Sequence, residues 1–215
     1  MIAAMIGIPT IFMTRVRLYA STCSAISLAT CGIVFIRKCV APMRALIVPK
    51  GCATVSHGGA VAQIGKAFDM NVIAWSQNLT AERAAEIGAE LVSKEELFGR
   101  ADVVSVHLVL SGRTRGLVGA HELALMKPTA RLVNTSRGPI VVEADLIAAL
   151  KAQKIAGAAI DVFDQEPLPL DHPFRTLPNL LATPHIGYVS RGLYARFYQD
   201  TVENIRRWLD GQATG

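Results

Sequence analysis

Residues 51–68, "GCATVSHGGAVAQIGKAF", followed at 71–75 by "NVIAW", hold the reading on which the fold turns. Val61, Ile64 and Phe68 stand at helical spacing, which predicts a helix with an apolar stripe, and a strand-like run follows at once. In α/β proteins such a helix is commonly introduced by G-x-G-x-x-G, the turn that lays a pyrophosphate on a helix N-terminus. Counted back from the helix, the three glycine positions are Ala53, Val55 and Gly58, so one glycine of three stands. The first glycine allows a tight turn and the second lets the backbone approach a phosphate. Ala53 suits that turn only with a negative φ, because a left-handed conformation costs roughly 1–2 kcal/mol. Val55 would put a branched side chain where phosphate oxygens belong. The preceding run, "ALIVPK" at 45–50, reads as a poor strand because it ends in a proline and a lysine. On these residues alone the stretch is either a dinucleotide turn that has been damaged or one that never was.

Working outward, the pattern is regular from about residue 58. Strand-like runs "NVIAW" (71–75), "DVVSVHL" (102–108), "ARLVNT" (130–135), "IAGAAIDV" (155–162) and "LLAT" (180–183) alternate with helical segments. The helical segments are "GGAVAQIGKAF", "TAERAAEIG", "SKEELF", "GAHELALM", "EADLIAALKAQ" and "RGLYARFYQDTVENIRRWLDG". Thr80 is placed to cap one helix with Gly88 closing it, and Ser93 with Glu96 forms a capping box. Val142 precedes "EADLIAAL" where a capping side chain would be useful, a loss of about 1 kcal/mol. Apolar strands alternating with helices call for a parallel sheet covered on both faces: an α/β, Rossmann-like, doubly wound fold in a single domain. The long irregular stretch "DQEPLPLDHPFRTLPN" (164–179) carries four prolines, and loops of that length are usually functional.

Charge and cysteine usage divide the chain. The net charge of +5 looks like a hint of nucleic-acid or membrane binding, but residues 1–50 hold six basic residues and no acidic one. The remaining 165 residues hold 16 basic and 17 acidic side chains, so no basic face for nucleic acid is expected on the folded part. Cys23, Cys31, Cys39 and Cys52 all fall in the first quarter without a C-x-x-C pair or a histidine cluster, and no metal site is expected. The folded part has no cysteine, which fits a cytoplasmic protein. Residues 18–36 form 19 residues without a charge, the minimum length for a spanning helix, diluted by five Ser/Thr residues. An unstructured or artefactual leader is the first reading of 1–54, and a membrane segment over 18–36 is the alternative.

Ligands of doubly wound sheets bind beyond the carboxyl ends of the strands. Three successive strand ends bring an arginine, a glutamate and a histidine: Arg137, Glu166 and His185. The segments that hold them, "VNTSRGPIV", "AAIDVFDQEPLP" and "LATPHIGY", in this order and spacing, resemble the D-isomer-specific 2-hydroxyacid dehydrogenases. The resemblance runs from Gly58 to Leu209. It implies a nucleotide-binding domain over 55–210, followed by a tail at 211–215. It implies hydride transfer between a nicotinamide cofactor and a small 2-oxo or 2-hydroxy acid.

By this resemblance His185 is the general acid/base, Glu166 orients its imidazole and supports positive charge on it, and Arg137 binds the substrate carboxylate and carbonyl. Imidazole titrates near neutral pH and works in both directions, and guanidinium offers a planar fork of donors. Asp161 resembles the position near the nicotinamide. Ser56, His57, Gly58, Ser76, His107, Thr114, Thr135, Ser136 and Gly187 are the other cofactor-binding candidates, with Arg137 and His185 shared between the two sets. His121 and His172 read as surface residues. Ser76 ends the second strand without a carboxylate, so NAD is favoured only slightly over NADP.

Everything ahead of Val55 lacks the family pattern, and a substrate domain is expected to be missing. A shifted reading frame, a wrong start or a gene truncation would account for the abrupt onset. The competing expectations are an impaired enzyme, a non-catalytic nucleotide- or partner-binding module, and an inactive remnant. A homodimer stays open.

Overall fold

Seven parallel strands in the order β3-β2-β1-β4-β5-β6-β7 form the sheet of the computed structural model, which describes residues 44–47 and 57–212. The strands are β1 (Arg44–Ile47), β2 (Asn71–Ala74), β3 (Glu90–Leu91), β4 (Val103–Val106), β5 (Arg131–Asn134), β6 (Gly157–Ile160) and β7 (Leu180–Ala182). The helices are α1 (His57–Ala67), α2 (Ala81–Glu86), α3 (Lys94–Arg100), α4 (Ala120–Leu125), α5 (Glu143–Lys151) and α6 (Arg191–Leu209). Of the expected leader 1–54 only residues 44–47 are described, and they form β1 of the sheet; the four cysteines, Ala53, Val55 and Ser56 lie outside the described residues.

Side-chain alternation along β2 explains why the sheet is wound on both faces. Val72 and Ala74 pack with Ala62 of α1 and with Ile87 and Ala89 around α2. Ile73 points to the other face and joins Leu97 and Phe98 of α3, Leu123 of α4 and Leu146 of α5. Successive strand residues face opposite sides, so a strand apolar throughout is stable only between two helical layers. β1 lies between β2 and β4, pairing with both. The run expected to be a poor strand thus supplies an interior one. Its last paired residue is Ile47, ahead of Pro49 and Lys50 in the sequence.

α1 forms where expected but turns its stripe the other way. Gly58, Gly59, Ala62 and Gly65 are buried, whereas Val61, Ile64 and Phe68 are 37%, 57% and 62% exposed. Small residues win the sheet-facing side because the helix lies close: a Cβ on Gly65 would stand 3.4 Å from the Val72 side chain. The capping readings hold. Thr80 accepts from the Arg83 N–H, Ser93 and Glu96 form a reciprocal box, and Val142 caps nothing. Gly88 follows α2 at φ +69°, a conformation glycine adopts without penalty.

Candidate functional site

The order of strands reverses between β1 and β4, so the crevice of a doubly wound sheet opens there, at the carboxyl rim. β5, β6 and β7 continue that rim side by side. Each is followed within six positions of its end by expected residues: Arg137 after β5, Asp161 and Glu166 after β6, and His185 after β7.

Arg137 sits at the end of a closed turn. Asn134, 1% exposed, accepts the Ser136 N–H at 3.0 Å and donates to the Arg137 carbonyl at 3.0 Å. Ser136 Oγ donates to the Val106 carbonyl at 2.7 Å, tying the end of β5 to that of β4. Gly138 comes next, and nothing larger fits: an added Cβ would lie 2.1 Å from the Phe163 carbonyl carbon and 2.6 Å from the Asp164 nitrogen. The turn bearing Arg137 therefore rests directly on the segment leading to Glu166. The exposed guanidinium spends one donor on the Ser136 carbonyl at 2.6 Å and keeps the rest.

Glu166 Oε1 accepts the Phe163 N–H at 3.0 Å, and Oε2 lies 2.7 Å from His185 Nδ1. Partial burial works against the Glu166 charge. The hydrogen bond from His185, the Phe163 N–H and the positive fields of His185 and Arg137 outweigh it and hold the carboxyl below the usual glutamate range.

His185 has φ +54°, a left-handed conformation that costs a non-glycine residue about 1 kcal/mol. Its surroundings enforce it. The His185 N–H donates to the Thr183 carbonyl at 3.0 Å. Asp161 holds the next two residues, accepting from the Ile186 N–H at 3.0 Å and the Gly187 N–H at 2.8 Å. The Thr183 hydroxyl donates to the same carboxylate at 2.5 Å. Burial opposes ionisation of Asp161, but those three donors and the nearby His185 overcome it, so its pKa lies below the ordinary aspartate value. Asp161 thus shapes the turn that presents His185. The edge of the imidazole meets Tyr188, with ring centroids 6.0 Å apart.

The remaining candidates are more scattered. Ser76 is half-buried just past β2, and Thr135 is exposed just past β5. His107, half-buried past β4, lies 2.9 Å through Nε2 from Ser105 Oγ. The Thr114 hydroxyl donates to the Val109 carbonyl at 2.7 Å and accepts the Ser111 N–H at 2.8 Å, so it shapes its own loop. Gly58 is buried in the first turn of α1, which His57 opens. His172 is not the surface residue expected: its side chain is 18% exposed and lies 3.3 Å from Glu143. Asn134, Thr183 and Glu143 were absent from the sequence reading. Only Asn134 carried a signal, an Asx-type turn at a strand end. Among the described residues no cluster of three or more His, Asp or Glu side chains could hold a metal ion, and no helix is long and apolar enough to cross a membrane.

The family model for the D-isomer specific 2-hydroxyacid dehydrogenase NAD binding domain matches residues 52–187. The chain belongs to this oxidoreductase family and carries its NAD binding domain. A glyoxylate reductase of Aeropyrum pernix is 43% identical over 155 residues, 72% of this chain and 46% of the relative. A phosphoglycerate oxidoreductase of Vibrio cholerae superposes with a TM-score of 0.71 at 34% identity, over 79% of this chain and 53% of its own. A D-lactate dehydrogenase of Lactobacillus jensenii, solved with NAD+, gives 0.66 at 26% identity, over 80% and 54% of the two chains. The chain spans about half the length of these relatives.

Proposed function

We propose that this chain serves an NAD-dependent reaction moving a hydride between nicotinamide and a small 2-oxo or 2-hydroxy acid, in the cytoplasm. The observation that carries the reading is the 2.7 Å contact of Glu166 with His185 Nδ1 at the sheet rim, beside the turn of Arg137. A dinucleotide fits this rim. The switch point lies between β1 and β4, and α1 opens after β1 on the same edge. Asp161 Oδ2 accepts the Gly187 N–H at 2.8 Å, and a carboxylate oxygen has a second lone pair to offer. Gly58 at the start of α1, Ser76, His107, Thr135 and Asp161 are the residues that would line the cofactor.

A nicotinamide held at this rim would supply or accept the hydride at the substrate carbon. Glu166 occupies Nδ1 of His185, which leaves Nε2 to hand a proton to the developing alkoxide and to recover it in the reverse direction. The free donors of Arg137 hold the substrate carboxylate and polarise the carbonyl. Its positive charge and the imidazolium both favour the charge that develops on oxygen.

Ala53 and Val55 favour a second reading, a module that binds nucleotide weakly and catalyses nothing. Fluorescence titration with NADH and NADPH, paired with NADH oxidation on glyoxylate and hydroxypyruvate, separates the two. Saturable NADH binding with turnover supports the enzyme. Binding without turnover supports the module, and neither signal from a folded chain overturns both. A tighter NADPH curve would reverse the preference for NAD.

A further inference from the structure

Glu143 opens α5, yet its carboxylate reaches away from its own helix. Oε1 accepts the Asp164 N–H at 2.8 Å, and Oε2 lies 3.3 Å from His172 Nε2. His172 Nδ1 accepts the Phe174 N–H at 3.3 Å, which turns Nε2 toward Glu143 at ion-pair distance. The imidazole also packs on Phe174, with centroids 4.8 Å apart, and Phe174 is buried in the main core. One carboxylate thus grips both ends of the excursion 164–172, whose third residue is Glu166. The Glu143 and His172 side chains are each 18% exposed. Other charges face the same spot. Burial and the Glu143 carboxylate push the Asp164 carboxyl up, while Arg115 and His172 pull it down.

We propose that Glu143 and His172 are positioning residues, stapling the loop 164–172 to α5 so that Glu166 is held against His185. The proposal rests on the functional reading only in treating that pair as the reactive centre, and its test needs no turnover. The full chain, labelled with ¹³C at glutamate side-chain carboxyls, is titrated by NMR, and a Glu166→Gln sample assigns the Glu166 signal. In the parent chain Glu166 titrates below the ordinary glutamate range. In Glu143→Ala its midpoint rises toward the ordinary value. His172→Ala raises it in the same direction, and the double variant raises it no further than Glu143→Ala alone. Glu143→Gln, which keeps an acceptor for the Asp164 N–H, recovers part of the shift. A Glu166 midpoint unchanged in folded Glu143→Ala overturns the proposal. If that variant does not fold, an unchanged midpoint in His172→Ala does so. A chain that oxidises no NADH yet shows these shifts would refute the functional reading and leave the staple standing.

Discussion

Gly138 and Asp161 organise the rim without any reacting atom of their own. Replacing Gly138 by alanine forces a methyl group into the Phe163–Asp164 backbone, which cannot rotate away. Gly138→Ala should cost roughly 1–3 kcal/mol, as overpacking does, read from urea denaturation midpoints. Asp161→Asn keeps the shape and removes the charge that three donors stabilise. Because the folded pKa of Asp161 is depressed, its stabilisation is complete above the ordinary aspartate value of 3.8 and is lost as pH falls through the lower folded value. Asp161→Asn should therefore be less stable than the parent at neutral pH, with the gap closing below pH 3.8. Thermal unfolding across that range checks it. Arg137, Glu166 and His185 were legible in the sequence because parallel strands put their ends on one rim in chain order. Glu143 and His172 were not. Their meeting depends on the path of a proline-rich loop, and neither carries a local pattern that points to the other.

At the scale of elements, α5 starts without a side-chain cap, since Val142 offers no acceptor at φ −70°. Val142→Thr preserves the branched shape and adds the missing oxygen. It should raise stability by about 1 kcal/mol in denaturant melts. α6 is the contrary case. No residue of α6 is buried, and Phe197, Tyr198, Val202, Ile205, Trp208 and Leu209 are each 48% or more exposed. Its hydrogen bonds lack the packed cover that protects α5, whose Leu146, Ala149 and Leu150 are buried. Amide exchange should therefore open α6 at lower free energy than α5, checked by native-state hydrogen exchange. Equal protection would mean that the exposed face is covered in solution. Helix period and caps revealed the helices. The face that α1 turns to the sheet was hidden, because glycine and alanine, not the larger apolar residues, permit its close approach. β3, only two residues long, falls below any sequence periodicity.

For the whole molecule, the sheet order and the family match agree on a nucleotide-binding unit, about half of what the relatives possess. Doubly wound topology was readable because strictly alternating apolar strands and helices admit few other arrangements. What this unit accomplishes rests on whether the imidazole held by Glu166 moves a proton. The direct measurement is the rate of NADH oxidation with saturating glyoxylate or hydroxypyruvate in the parent chain and in His185→Asn, alongside NADH affinity for both. The account predicts oxidation by the parent, a loss of at least about 100-fold in His185→Asn as expected of a general acid, and unchanged NADH binding. A His185→Asn rate equal to that of the parent, or a parent chain that binds NADH and leaves it unoxidised, would contradict it.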